Sequence, residues 1–264
     1  MPSSPMHLPL AWAVLAIAAL PPDVASQLAR VDAAWSERDQ PGRLAEVTSA
    51  LEEAERIAPE EFEVLWRRAR LDVWLSDDPT KKKDERSRIG KRAWDAAEKA
   101  ITKDPTRVEG HLYAALGMGT YGMSLGIFKA LREGIEGKFK ARLSRAEAID
   151  PTVLGGTVYV AWGRFWYEVP WPKYDARKSE KALRRAMEVN PANVRARVYL
   201  AELYVKENKP SQARSLLQDA VAQDPEAYDG PEERRMQARA RELLQKKLES
   251  TGGEDDRVRG SEGG

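Results

Sequence analysis

The chain has 264 residues, 42% of them hydrophobic and 32% charged, enough apolar material for one sizeable core or one continuous repeat array and too much for a disordered composition. Its 43 basic and 42 acidic residues nearly cancel, so no strong overall field favours nucleic acid or an anionic membrane, and a partner is expected to be recognised by shape. The absence of cysteine excludes disulfides, thiolate nucleophiles, cysteine metal ligands and a lipobox-type lipid anchor.

From Leu8 to Leu20 the residues are almost wholly apolar, a run of 13 that matches a signal-peptide h-region and falls short of the roughly 20 residues a bilayer span needs. Val24 and Ser26 place small residues at the two recognition positions for cleavage after Ser26. Residues 1–26 therefore read as a signal peptide and the protein as exported, periplasmic in a bacterium. The segment Met1 to His7 carries no lysine or arginine. An uncleaved N-terminal membrane anchor is the alternative.

Residues 27–230 are organised by a repeat. Pro59, Pro105, Pro151, Pro191 and Pro225 each close a helical segment, and each has an alanine five residues earlier: Ala54, Ala100, Ala146, Ala186 and Ala220. Proline cannot donate the hydrogen bond that would continue a helix, so each reads as a stop. In four cases the residue before it is Asp104, Asp150, Asn190 or Asp224. The last interval, Pro191 to Pro225, is 34 residues, the tetratricopeptide (TPR) period. It matches the TPR consensus through Leu200, Ala201, Tyr204, Ala213, Leu217 and Ala220. Small residues let two helices approach closely, while leucine and tyrosine fill the spaces between hairpins. The earlier intervals of 46, 46 and 40 residues read as degenerate repeats with insertions. The expected fold is all-α: a TPR-like helical-hairpin solenoid with insertions in the first three repeat intervals.

The first insertion is placed between a helix from Phe62 to Leu75 and one beginning near Arg88, which leaves Lys81 to Arg86 as a charged, solvated loop. The second, Gly110 to Gly137, is apolar and glycine-rich. Gly117, Gly119, Gly122 and Gly126 cost a helix about 1 kcal/mol each relative to alanine, so close packing, a bend or backbone approach to a ligand must compensate. Met118, Tyr121, Met123 and Phe128 are candidates for lining an apolar ligand cavity, with a core helix pair as the plainer reading. Gly117 to Gly122 also matches G-x-G-x-x-G, but no strand precedes it, so a dinucleotide loop is rejected. The third insertion holds Val169-Pro170-Trp171-Pro172, a rigid turn between helices spanning Tyr159 to Tyr167 and Lys178 to Val189.

His111 lies on a first helix of a repeat and reads more readily as a hydrogen-bonded structural residue than as a ligand or general base. Tyr159, Trp162 and Trp166 share one helix face, which either packs on the next hairpin or forms an aromatic wall. Arg195, Glu202 and Lys206 fall at groove-facing positions of the best repeat, where a peptide or partner domain would dock. Pro231 to Leu248 reads as a capping helix with Met236, Ala240, Leu243, Leu244 and Leu248 along one stripe, and 249–264 as a disordered tail.

A narrower likeness rests on Glu109-Gly110-His111-Leu112-Tyr113, the Ile149-Asp150-Pro151 stop, Gly155-Gly156 and Ala161-Trp162-Gly163-Arg164, together with Asp32-Ala33-Ala34-Trp35 and Val64-Leu65-Trp66-Arg67-Arg68-Ala69. Over residues 28 to 225 the chain resembles the TPR-type T component associated with bacterial TRAP transporters. A weaker likeness of the same type exists to the eukaryotic regulators of microtubule dynamics. The first resemblance implies a helical envelope protein that partners a periplasmic solute-binding protein and offers an apolar cavity, without enzymatic activity. No catalytic residue, metal ligand set or cofactor motif stands out in the sequence. The expected function is non-catalytic binding of a protein partner. A general envelope scaffold and, remotely, an enzyme with a carboxylate site remain the alternatives, and homo-oligomerisation stays open.

Overall fold

All five spaced prolines follow helix ends, and the same local chemistry recurs at them. The computed structural model describes residues 20–125 and 133–248, which contain eleven α-helices and no strand. They are α1 Pro22–Trp35, α2 Arg43–Ile57, α3 Phe62–Ser76, α4 Lys83–Lys103, α5 Val108–Leu125, α6 Ile135–Ile149, α7 Val153–Glu168, α8 Ala176–Val189, α9 Val194–Lys206, α10 Pro210–Ala222 and α11 Gly230–Leu243, followed by a short π-helical stretch to Leu248. The run from Leu8 to Ala19, Phe128 and the tail 249–264 lie outside the described residues.

Each of the five repeat alanines is completely buried. At four of them the alanine carbonyl accepts the terminating N–H, from Ala58, Asp104, Asp150 and Asn190, at 2.9 Å. The residue before the proline then turns the chain. Oδ1 of Asp104 accepts from Thr106 N, that of Asp150 from Thr152 N, that of Asn190 from Ala192 N and that of Asp224 from Glu226 N, at 2.8–3.0 Å. A side chain that bonds the backbone two residues on mimics a turn. This is the reason for the recurring Asp-Pro and Asn-Pro pairs.

The chain divides into two compact units between Arg145 and Ala146, within α6. In the first, Val24, Leu28 and Val31 of α1 interlock with Val47, Leu51 and Ala54 of α2 and Val64 and Leu71 of α3. In the second, the consensus residues Leu200, Ala201, Tyr204, Ala213, Leu217 and Ala220 are all buried in one core, which Met236 and Ala240 of α11 close.

The insertions differ from expectation. The helix expected near Arg88 begins at Lys83, so Lys83 to Arg86 are helical and only Lys81 and Lys82 stay in the loop. Asp84 and Glu85 in the first turn face the positive end of the helix dipole, and Arg86 Nε donates to Ser76 O at 2.8 Å, tying that turn to the end of α3. The inserted residues lengthen α4 to 21 residues. The glycine-rich segment contains one continuous helix, α5, in which Gly110 and Gly117 serve close packing. A Cβ on Gly117 would stand 2.6 Å from Trp94 N, and one on Gly90 would stand 2.6 Å from Thr120 Oγ1. In the third interval α7 opens with Leu154, Gly155 and Gly156 all in left-handed conformation, and α8 starts two residues earlier than expected because Asp175 caps it through Lys178 N.

Candidate functional site

In the second unit α7 and α9, each the first helix of a hairpin, and the final helix α11 carry a row of charged and tyrosine side chains that hold one another in place. On α9 the residues Arg195, Tyr199, Glu202 and Lys206 recur at helical spacing. Glu202 is the centre. Its carboxylate accepts from Arg164 Nη1 of α7 at 2.6 Å and from Arg239 Nε of α11 at 2.7 Å. Arg195 pairs with Glu232 and donates to Tyr199 Oη at 2.7 Å. The Tyr199 ring has the guanidinium groups of Arg164, Arg195 and Arg239 at 4.6, 5.5 and 5.9 Å. Lys206 Nζ donates to Tyr167 O at 3.1 Å and lies 3.9 Å from the centre of the Tyr174 ring. The three residues expected to face a groove are therefore brought together.

The row is buried at its centre, at Glu202 and Tyr199, and open at its edge, where Arg239 is 42% exposed at the side chain. The exposed pairs at that edge, such as Arg164–Glu168, add little stability. Their value is as oriented donors and acceptors. Guanidinium groups stacked on a ring keep their N–H edges directed outward in a plane, at a low cost in rotamer freedom on binding.

The first unit carries a comparable network that sequence reasoning missed. Arg67 Nε and Nη2 donate to Asp32 of α1 at 3.0 and 2.6 Å, and Nη1 donates to Glu63 Oε2 at 2.6 Å. Arg70 is stacked between Trp35 and Trp66, at 4.3 and 4.9 Å, and Arg38 between Trp35 and Trp74, at 4.5 and 4.1 Å. Trp66 in turn stacks on Tyr113. This network is closed, with Arg67, Glu63 and Arg38 buried, and it acts as core. The available signal was the set of three tryptophans, Trp35, Trp66 and Trp74, each with an arginine three or four positions away.

The other predicted residues do not converge. Met118 is completely buried, Tyr121 is half-buried with its hydroxyl donating to Glu133 at 3.1 Å, and Met123 is exposed. A cleft of about 490 Å³ between α4 and α6 is lined by Trp94, Asp95, Glu98, Lys138, Ala141 and Arg142, and by none of those three. His111 Nε2 bonds Pro105 O at 2.9 Å. A carbonyl can only accept, so Nε2 carries the proton and the buried Nδ1 is bare. Burial pushes this imidazole below its usual pKa, against the Pro105 bond, which raises it, and the charges of Arg142 and Arg145 lower it further. His111 is a neutral structural residue near pH 7. Tyr159, Trp162 and Trp166 share the half-buried face of α7. Trp162 and Trp166 stack at 6.4 Å, and Trp162 Nε1 donates to Glu147 at 2.8 Å. Among the described residues no group of three or more His, Asp or Glu is placed to hold a metal ion, and no helix is long and apolar enough to cross a membrane.

Comparison with known proteins decides the family. The model for regulator of microtubule dynamics protein 1-3 matches residues 27–183. The chain belongs to this family. A tetratricopeptide repeat model also matches residues 174–246. No curated protein sequence matches. Among solved structures, a thermophilic TPR protein of Thermus thermophilus is similar with a TM-score of 0.58 at 18% identity, over 77% of this chain and 91% of that one, which shows a shared fold. The MamA protein is similar with a TM-score of 0.43 at 11% identity, over 75% and 90%.

In this regulator of microtubule dynamics family member one carboxyl beside the α9 row titrates far from its ordinary range. Glu233 is buried, its Oε2 accepts Val194 N at 2.9 Å, and it is pushed up to about 8 by burial, opposed by that hydrogen bond and reinforced by Glu232 and Asp229. A carboxyl whose folded value lies above its unfolded one binds more protons when folded, so its contribution is intact at acid pH and is lost as pH rises from about 4.5 to 8. Glu233→Gln keeps an acceptor for Val194 N and removes the titration. The variant is expected to gain on the order of 3 kcal/mol on wild type between pH 5 and 9. Parallel wild-type and variant denaturation midpoints across that range would contradict this.

Proposed function

We propose that the chain is a non-catalytic docking protein that holds a partner protein's extended segment on the row formed by α7, α9 and α11. The observation that carries the reading is the Arg164–Glu202–Arg239 link, which joins α7, α9 and α11 into one preorganised row of donors and acceptors. The TPR-type fold supports it, because stacked hairpins present such rows to partners. The family's name says of its namesakes that they regulate microtubule dynamics. For this chain the partner is taken from the narrower T-component resemblance: a periplasmic solute-binding protein, met after export directed by the apolar N-terminal run. Export must then leave α1 whole. A cut after Ser26 falls inside α1 and detaches Val24, which is completely buried against α2, so a cut at or before Pro21, or none, fits the fold.

Affinity capture of the tagged full chain from an envelope extract tests this, with Arg195→Ala/Arg239→Ala as the comparison and N-terminal sequencing of the recovered chain. A solute-binding protein is expected with the wild type and at least about tenfold less of it with the double variant. Equal recovery by both, with unchanged helicity, would remove the row from the function.

A further inference from the structure

We infer that the turn carrying Trp171 is a tip that docks on an anionic lipid surface, its indole entering the headgroup region. Trp171 is 87% exposed, against 48% for the next large hydrophobic side chain among the described residues. It is held there by a pinned turn. Lys173 N and Tyr174 N both bond Pro170 O, at 2.9 and 3.2 Å, Asp175 N bonds Trp166 O at 3.3 Å, and Val169 at the base is buried. The flanking Pro170 and Pro172 restrict the backbone further. An aromatic presented on so rigid a support has met most of its ordering cost before binding.

The charge around the tip points to lipid. Lys206, which bonds Tyr167 O and covers the Tyr174 ring, brings the end of α9 to the same place. This end of the second unit then carries Lys173, Arg177, Lys178, Lys206 and Lys209 against Glu168, Asp175, Glu207 and Glu180, the last facing Lys209 and itself paired with Arg184. The chain as a whole is close to neutral, so this excess is local. Indole rings favour the membrane interface, where the body is apolar and the N–H stays wet, and nearby lysine and arginine are attracted to anionic headgroups. The apolar patch is one indole and two prolines. That is far below the roughly 800 Å² per side a stable protein interface needs, whereas a lipid interface accepts a single inserted side chain backed by cations.

The chain has no native cysteine, so an environment-sensitive fluorophore on Pro172→Cys reports the tip alone, whatever the N-terminal run does. In the full-length protein its emission is expected to shift to the blue with vesicles containing roughly 30 mol% phosphatidylglycerol, to stay unchanged with phosphatidylcholine alone, and to revert in roughly 0.5 M NaCl. Adding Trp171→Ala is expected to weaken the apparent partitioning about tenfold, and Lys206→Glu to weaken it with the helicity intact. A label that stays silent on anionic vesicles, or a Trp171→Ala protein that responds like its parent, overturns the inference and leaves the tip to a protein partner.

Discussion

Replacing Arg67 by methionine is expected to cost the first unit about 3 kcal/mol, the lower end of the range for removing one partner of a buried ion pair. Arg67 is 1% exposed and is the largest fully buried side chain among the described residues, with three hydrogen bonds to Asp32, two to Glu63 and its guanidinium 4.2 Å over Trp66. Methionine fills much of the volume but leaves both carboxylates short of a counter-charge. The cost stays at the low end because Glu63 keeps Trp66 Nε1 at 2.7 Å and Arg107 at 3.0 Å, and Asp32 keeps Arg70 at 2.8 Å. Arg67→Lys is expected to recover little, since one ammonium cannot reproduce the fork that grips Asp32. The pH dependence follows from Asp32. Burial alone would raise its carboxyl, but the Arg67 hydrogen bonds and the charges of Arg70 and Arg67 outweigh that and hold it below the usual range. A depressed carboxyl contributes stability above its unfolded pKa and loses it as pH falls through the folded value. The cost of Arg67→Met is therefore largest at neutral pH and narrows in acid. Urea denaturation at the two pH values checks it, and a neutral-pH difference under about 0.5 kcal/mol would mean that the network contributes no net stability.

That network also marks where the sequence stops being readable. The alanine–proline spacing was legible because each part has a local cause: a side chain too small to obstruct a helix contact, a carbonyl that accepts the last N–H, and an Asx turn over the proline. The 191–225 repeat was legible for the same reason, undiluted by insertion. The start of α4 was not, because Lys82 provides no side-chain cap and the charge run after it reads as a loop until Asp84 and Glu85 are seen to face a helix dipole. The stripe of Arg195, Glu202 and Lys206 could be read from its own helix. Its partners Arg164 and Arg239 lie 38 and 37 residues from Glu202, and no local period encodes such pairings. Arg67 was opaque because a buried arginine between two helices has the same one-letter signature as a solvated one.

Gly117 and Gly119 give the sharpest test of the helix packing, because two alanine substitutions two residues apart are expected to act with opposite sign. At Gly117 a Cβ would lie 2.6 Å from Trp94 N and 3.1 Å from both Gly90 O and Trp94 Cα. These are backbone atoms of α4 and cannot rotate away, so α4 and α5 must separate along their crossing, at a cost of about 2–3 kcal/mol. At Gly119 the nearest atom is Phe139 Cε2 at 3.7 Å, an ordinary contact. There alanine adds only its better helix propensity and is expected to stabilise by about 0.5–1 kcal/mol. Thermal denaturation of the two variants beside wild type reads both effects. The opposite signs would show that the glycines of this segment divide between a backbone-to-backbone crossing at Gly90 and Gly117 and a position that a side chain can fill. Similar losses at both would mean that Phe139 and α6 press on α5 as tightly as α4 does, and that the whole segment is packed to the limit of its backbone.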